Sequence, residues 1–165
     1  MNPMTTTKLA MPLMPADNGR SGIYTYIKQV SKWMLETAPA ECSITYFCLD
    51  RDQEYFRDLP RKAVVRVPDS FAHPVSNIGW HLGALPLMMK KLGMNALLLP
   101  AGNRRLAPFS NVDTTVVVHD LNQLVVDGKY DALRTVYVKK FVFRGITHAR
   151  TVVAVSQQTA TQLRQ

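Results

Sequence analysis

The chain has 165 residues, 47% hydrophobic and 19% charged, with a formal net charge of +8. That length makes one domain of ordinary size, and no run approaches the roughly 18 consecutive apolar residues of a membrane-spanning helix. The 20 basic and 12 acidic residues point to an anionic partner, but the basic ones come in scattered pairs, Arg61-Lys62, Lys90-Lys91, Arg104-Arg105 and Lys139-Lys140. Without a dense basic stripe interleaved with aromatics, nucleic acid is not expected as a partner, and a diphosphate ligand or an anionic membrane face stays open. Met1 to Ala10 carries Lys8 as its one charge and no small-residue cleavage site after a long apolar core, so no signal peptide is read and a cytoplasmic location is expected.

Strand-like and helix-like segments alternate, the pattern of a parallel α/β sheet. Lys8 to Met14 reads as a first strand, followed by a loop that holds Gly19, Arg20 and Gly22. From Ile23 to Ala38 the apolar residues Ile23, Tyr26, Ile27, Val30, Trp33 and Met34 recur at three-and-four spacing, which predicts a helix with one buried face. Pro39 ends it. Ser43 to Leu49 reads as a second strand and Ala63 to Val67 as a third, closed by Pro68. Cys42 and Cys48 fall on the same face of the second strand, about 20 Å apart, too far to bridge, and are expected to be reduced buried thiols.

Val75 to Leu92 reads as a short helix, a break at Pro86, and a second helix ending near Gly93. Ala96 to Leu99 is a fourth strand, Thr114 to His119 a fifth, Asp131 to Ala149 a long helix and Thr151 to Val155 a sixth strand. On the long helix Val138, Val142, Ile146 and Ala149 share one face, with Arg134, Lys139, Lys140 and Arg144 elsewhere.

Two of these strands stop on polar residues. Val116-Val117-Val118 runs into His119-Asp120, and Val153-Ala154-Val155 into Ser156. Open α/β sheets keep their active sites at this carboxyl edge. A histidine there can hydrogen-bond a bound hydroxyl or exchange a proton near neutral pH, and an adjacent acid can hold backbone or ligand. Gly19 and Gly22 lie between a strand and a helix, where a backbone can approach an anion, though a turn needing positive φ would use the same residues. Ser156 has the setting of an N-cap, and exposed amides there can also bind an anion. His73, His81 and His148 lack metal-ligand spacing relative to His119, so no metal is expected. There is no Gly-x-Ser-x-Gly elbow and no phosphate loop ending in Gly-Lys-Ser/Thr, which argues against a serine hydrolase and against a P-loop nucleotide site.

In order along the chain, Gly22-Ile23-Tyr24-Thr25-Tyr26, Trp80-His81-Leu82-Gly83-Ala84-Leu85-Pro86, Leu97-Leu98-Leu99-Pro100-Ala101-Gly102-Asn103, Thr115-Val116-Val117-Val118-His119-Asp120-Leu121 and Val152-Val153-Ala154-Val155-Ser156-Gln157-Gln158-Thr159 resemble the N-terminal half of family 4 retaining glycosyltransferases. The resemblance implies a Rossmann-like open, mainly parallel sheet with helices on both faces, spanning 1–165 as one half of a GT-B fold. It implies transfer of a hexose, as in polysaccharide biosynthesis, from a nucleotide-sugar to a glycan or lipid-linked acceptor. It assigns His119 and Asp120 to the catalytic cleft, and Gly19, Arg20, Gly22 and Ser156 to donor and acceptor binding, with no cofactor and no metal. The donor-binding domain is expected outside this chain, since no two glutamates stand eight positions apart in it. The family's second loop glycine is Tyr24 here. Lipid-linked acceptors and the positive charge together imply peripheral contact with the inner face of the membrane. Two other readings fit the same residues: a non-catalytic module of this fold that binds a glycan or a protein partner, and a nucleotide-binding α/β domain unrelated to sugar transfer.

Overall fold

The computed structural model of the chain describes residues 6–15, 21–108, 110–121 and 142–164. The strands are β1 (Thr7–Pro12), β2 (Cys42–Leu49), β3 (Val64–Val67), β4 (Ala96–Leu99), β5 (Asp113–Val118) and β6 (Thr151–Ala154). The helices are α1 (Gly22–Thr37), α2 (Pro74–Gly79), α3 (Leu85–Leu92), α4 (Phe143–Thr147) and α5 (Gln157–Leu163). The strands form one sheet in the order β3-β2-β1-β4-β5-β6, and every pairing in it is parallel. The chain therefore winds outward twice from the middle, and the direction of winding reverses between β1 and β4.

Alternation along each strand sorts the core into two layers. Met11, Leu13, Tyr46 and Cys48 face α1, where they meet Ile23, Tyr24 and Ile27 together with Phe56 and Leu59. Ala10, Phe47, Leu97, Leu99, Val116 and Val118 face the other way, onto Trp80, Leu85 and Met89. Trp80 anchors this second layer, 2% exposed and edge-on to Phe47 with ring centroids 5.6 Å apart. Truncating a buried aromatic of that kind typically costs ~3–5 kcal/mol.

Three expectations need correction. No break separates α2 from α3: a single π turn, Trp80–Ala84, joins them, closed by the Leu85 amide donating to the Trp80 carbonyl. Proline has no amide hydrogen and its ring crowds the carbonyl four residues back, and the wider turn just before Pro86 accommodates both defects without ending the helix. The helix does end where expected, on Gly93 in the left-handed conformation (φ 65°). On α1, Trp33 is 63% exposed, and Tyr24 and Ser31 occupy inner positions instead. Cys48 is buried but Cys42, at the start of β2, is only half-buried, and both are free thiols.

Of the long helix read over Asp131 to Ala149, residues 131–141 lie outside the described ones. The described helical part is Phe143–Thr147, with Ile146 and the preceding Val142 buried and Arg144 exposed, as the face pattern predicts. No helix among the described residues is long and apolar enough to cross a membrane.

Candidate functional site

The carboxyl ends of β4, β5 and β6 bring their following segments together. β5 ends at Val118, and because Val118 packs into the Trp80 layer, strand alternation sends His119 toward α1. There its ring stands edge-on to the ring of Tyr26, with centroids 4.8 Å apart and planes at 86°. Burial raises the Tyr26 hydroxyl above its ordinary value, so the phenol stays protonated at neutral pH.

His119 Nε2 lies 2.8 Å from the carbonyl oxygen of Pro100, the residue that follows β4. A carbonyl can only accept, so Nε2 carries the hydrogen in the neutral ring and Nδ1 keeps a lone pair. The carbonyl of His119 is itself engaged, accepting from the Thr159 hydroxyl at 3.2 Å. Thr159 in turn bonds Ser156, whose Oγ accepts the Thr159 amide at 3.1 Å and caps α5. Ser156 thus does the capping work its position predicts, and through Thr159 it braces the backbone at His119.

Asp120 takes a different partner. Its Oδ2 accepts from Asn103 Nδ2 at 3.4 Å. Asn103 is 3% exposed, and its Oδ1 has no hydrogen-bond partner among the described residues. A buried acceptor of this kind calls for a donor from water or ligand. Gly102 sets the close approach that makes these contacts possible. Its amide donates to the Val117 carbonyl at 2.8 Å, and a β-carbon there would overlap the side chain of Val116.

Gly22 is the first residue of α1, capped by Ser21, whose Oγ accepts the Tyr24 amide at 3.4 Å. Tyr26 lies one turn further along, so the start of α1 opens beside His119. No acidic side chain occupies that first turn, which leaves the positive end of the helix dipole uncompensated by this helix. Gly19 and Arg20 lie outside the described residues. The structure therefore gathers His119, Asp120 and Ser156 at one edge, with Gly22 at the head of the neighbouring helix.

Sequence reasoning assigned no role to Asn103, Tyr26 or Thr159. Asn103 had a usable signal, a polar residue three places beyond the proline that follows β4; the other two become visible only through long-range contact.

The crevice between β1 and β4, where doubly wound sheets commonly take ligands, is filled from within. His81, on the π turn, is 1% exposed there, and Arg105 is 8% exposed. With Met14, Pro15 and Pro100 they close the crevice to about 10 Å³, room for a single water molecule. His81 Nδ1 bonds the Asn77 carbonyl at 2.8 Å, and Arg105 Nε donates to the Asn77 side chain. Among the described residues no group of three metal-ligating side chains is gathered.

This open, doubly wound parallel sheet, with a polar cluster at its carboxyl edge, defines a Rossmann-like α/β domain. Comparisons with protein-family models, with curated proteins and with solved structures find no match.

The buried imidazole makes stability pH-dependent. Burial lowers the His81 pKa from 6.5 to about 3, opposed by the Asn77 carbonyl bond and assisted by the charge of Arg105. Between those values the unfolded chain binds a proton that the folded chain refuses, so His81 makes stability fall as pH drops from 6.5 toward 3. Urea midpoints measured at steps across that range should decline less steeply in His81→Gln than in the parent; equal slopes would show that His81 is not held neutral.

Proposed function

We propose that this chain is the acceptor-side domain of a retaining glycosyltransferase of the GT-B kind, moving a hexose from a nucleotide-sugar to a glycan or lipid-linked acceptor. The observation that carries the reading is the fixed orientation of His119. With its Nε2 hydrogen committed to Pro100, the ring offers Nδ1 as an acceptor at the sheet's carboxyl edge, suited to a sugar hydroxyl.

The other roles follow from the same edge. His119 orients a hydroxyl of the transferred sugar. Asp120 holds the Asn103 amide in place. The start of α1 at Gly22, with the preceding loop carrying Gly19 and Arg20, offers positive potential to the departing diphosphate. Ser156 acts through Thr159 on the His119 backbone. The nucleotide is assigned to a partner domain across the cleft. The net charge of +8 supports work at the inner, anionic face of a membrane, in contact with lipid-linked acceptors.

Two measurements test this. In the enzyme assembled with its donor-binding domain, His119→Ala should lower kcat by about 10²-fold or more, the scale of losing one preorganised polar contact to the transition state; unchanged turnover would remove His119 from the reaction. Sedimentation with anionic vesicles should capture the chain at low salt and release it at high salt. Failure to sediment at low salt would end the membrane assignment and leave the transferase reading standing.

A further inference from the structure

An open cavity lies away from His119, beside the crossover from β2 to β3. It measures about 460 Å³ and is lined by Cys48 near the end of β2, by residues of the 53–61 crossover, and by Val64 and Arg66 of β3, within the range of small-molecule sites. Three strand steps, about 14 Å at ordinary strand spacing, separate β2 from β5.

Its floor is apolar. Phe56 and Leu59 are 3% and 5% exposed, and they meet Val64 and the buried Cys48. Burial, then the nearby Asp52, Asp50 and Asp69, pushes the Cys48 thiol up to about 12, so at neutral pH it is an uncharged part of that floor. Its rim carries three guanidinium groups, Arg57, Arg61 and Arg66, against the single carboxylate of Glu54.

Three nearby acids, Asp50, Asp52 and Asp69, are committed elsewhere. Asp50 accepts from Arg66 at 2.7 Å and from the Gln53 amide at 2.9 Å, and Asp69 accepts the Arg51 backbone amide at 3.0 Å. Asp52 pairs with Arg51 at 3.8 Å. Among the described residues Arg57 is held only by Glu54, at 3.0 Å, in a pair so exposed, at 73% and 82%, that it contributes little and exchanges readily. Arg61 is exposed and has no hydrogen-bond or ion-pair partner among the described residues.

From this juxtaposition of an apolar floor with an uncommitted arginine and a loosely held one, we infer a second binding site, for a phosphomonoester that carries an apolar body. The planar guanidinium of Arg61 meets two phosphate oxygens, Arg57 leaves Glu54 to meet the third, and the apolar body covers Phe56 and Leu59. A free phosphate ion would engage the rim but leave the floor wet. The site uses none of the residues placed around His119, so it stands or falls apart from the transferase reading.

Isothermal titration of the chain tests it, with phenyl phosphate as the soluble probe and inorganic phosphate as the comparison. Phenyl phosphate should bind more tightly than phosphate, and Arg61→Ala should weaken it by about tenfold, the loss of one charge-assisted bidentate contact. Both arginines are exposed, so Arg61→Ala and Arg57→Ala should keep the parent circular dichroism, and His119→Ala should bind phenyl phosphate like the parent.

Phosphatidylcholine vesicles containing phosphatidic acid distinguish the source of the phosphate. Arg61-dependent sedimentation that phenyl phosphate competes away makes the ligand a lipid headgroup. Arg61-dependent binding of phenyl phosphate alone makes it a soluble ester. The site is refuted if neither probe shows binding that depends on Arg61, or if inorganic phosphate binds as tightly as phenyl phosphate.

Discussion

The bond from the Gly102 amide to the Val117 carbonyl, 2.8 Å long, holds the segment after β4 against the end of β5. No side chain fits at position 102, because a β-carbon would collide with Val116. Two of the side-chain bonds at the candidate site depend on that contact. It brings the Pro100 carbonyl to within 2.8 Å of His119 Nε2 and brings Asn103 to within 3.4 Å of Asp120. Were the segment to stand off by the width of a methyl group, both bonds would be too long to orient either side chain.

The polar character of this edge follows from how completely the carboxyl ends of β1, β2 and β5 are buried. Parallel strands covered on both faces have no solvent-facing side, so polar side chains collect where the strands stop. Val116, Val117 and Val118 are at most 3% exposed, and the next residue is His119. The same rule gives the second site its form. Phe47, Cys48 and Leu49 are buried at the end of β2, and the charged segment of Asp50 and Arg51 follows at once. The two sites differ in how they use the result. Near β5 the polar groups hold one another in fixed positions, whereas near β2 and β3 an uncommitted arginine stands over an open apolar floor.

Strands were the most legible elements in the sequence. Ala96–Leu99 matches its expected span residue for residue, because an unbroken apolar run bounded by Asn95 and Pro100 has few alternatives. Helix α1 was legible in extent but less so in orientation. Trp33 falls outside the buried arc, since apolar character alone does not say which side of a helix the sheet covers. Pro86 misled because a break is its usual effect, and one widened turn is a local remedy that no periodicity announces. At the site, His119 and Ser156 were visible as polar stops to apolar runs. Asn103, Tyr26 and Thr159 were not, because each acquires its role through a partner between 17 and 93 residues away. The cavity rim escaped notice for a related reason: Arg57, Arg61 and Arg66 come together only once β3 pairs with β2.

The central claim is that His119 is held with Nε2 donating to Pro100 and Nδ1 free to accept. A long-range proton–nitrogen correlation spectrum of the ¹⁵N-labelled chain, recorded where the ring is neutral, reads this directly. The account predicts a protonated Nε2 and an unprotonated Nδ1 for His119, the assignment fixed by the loss of those signals in His119→Gln. A ring protonated at Nδ1 instead, or one averaging rapidly between the two forms, would contradict it.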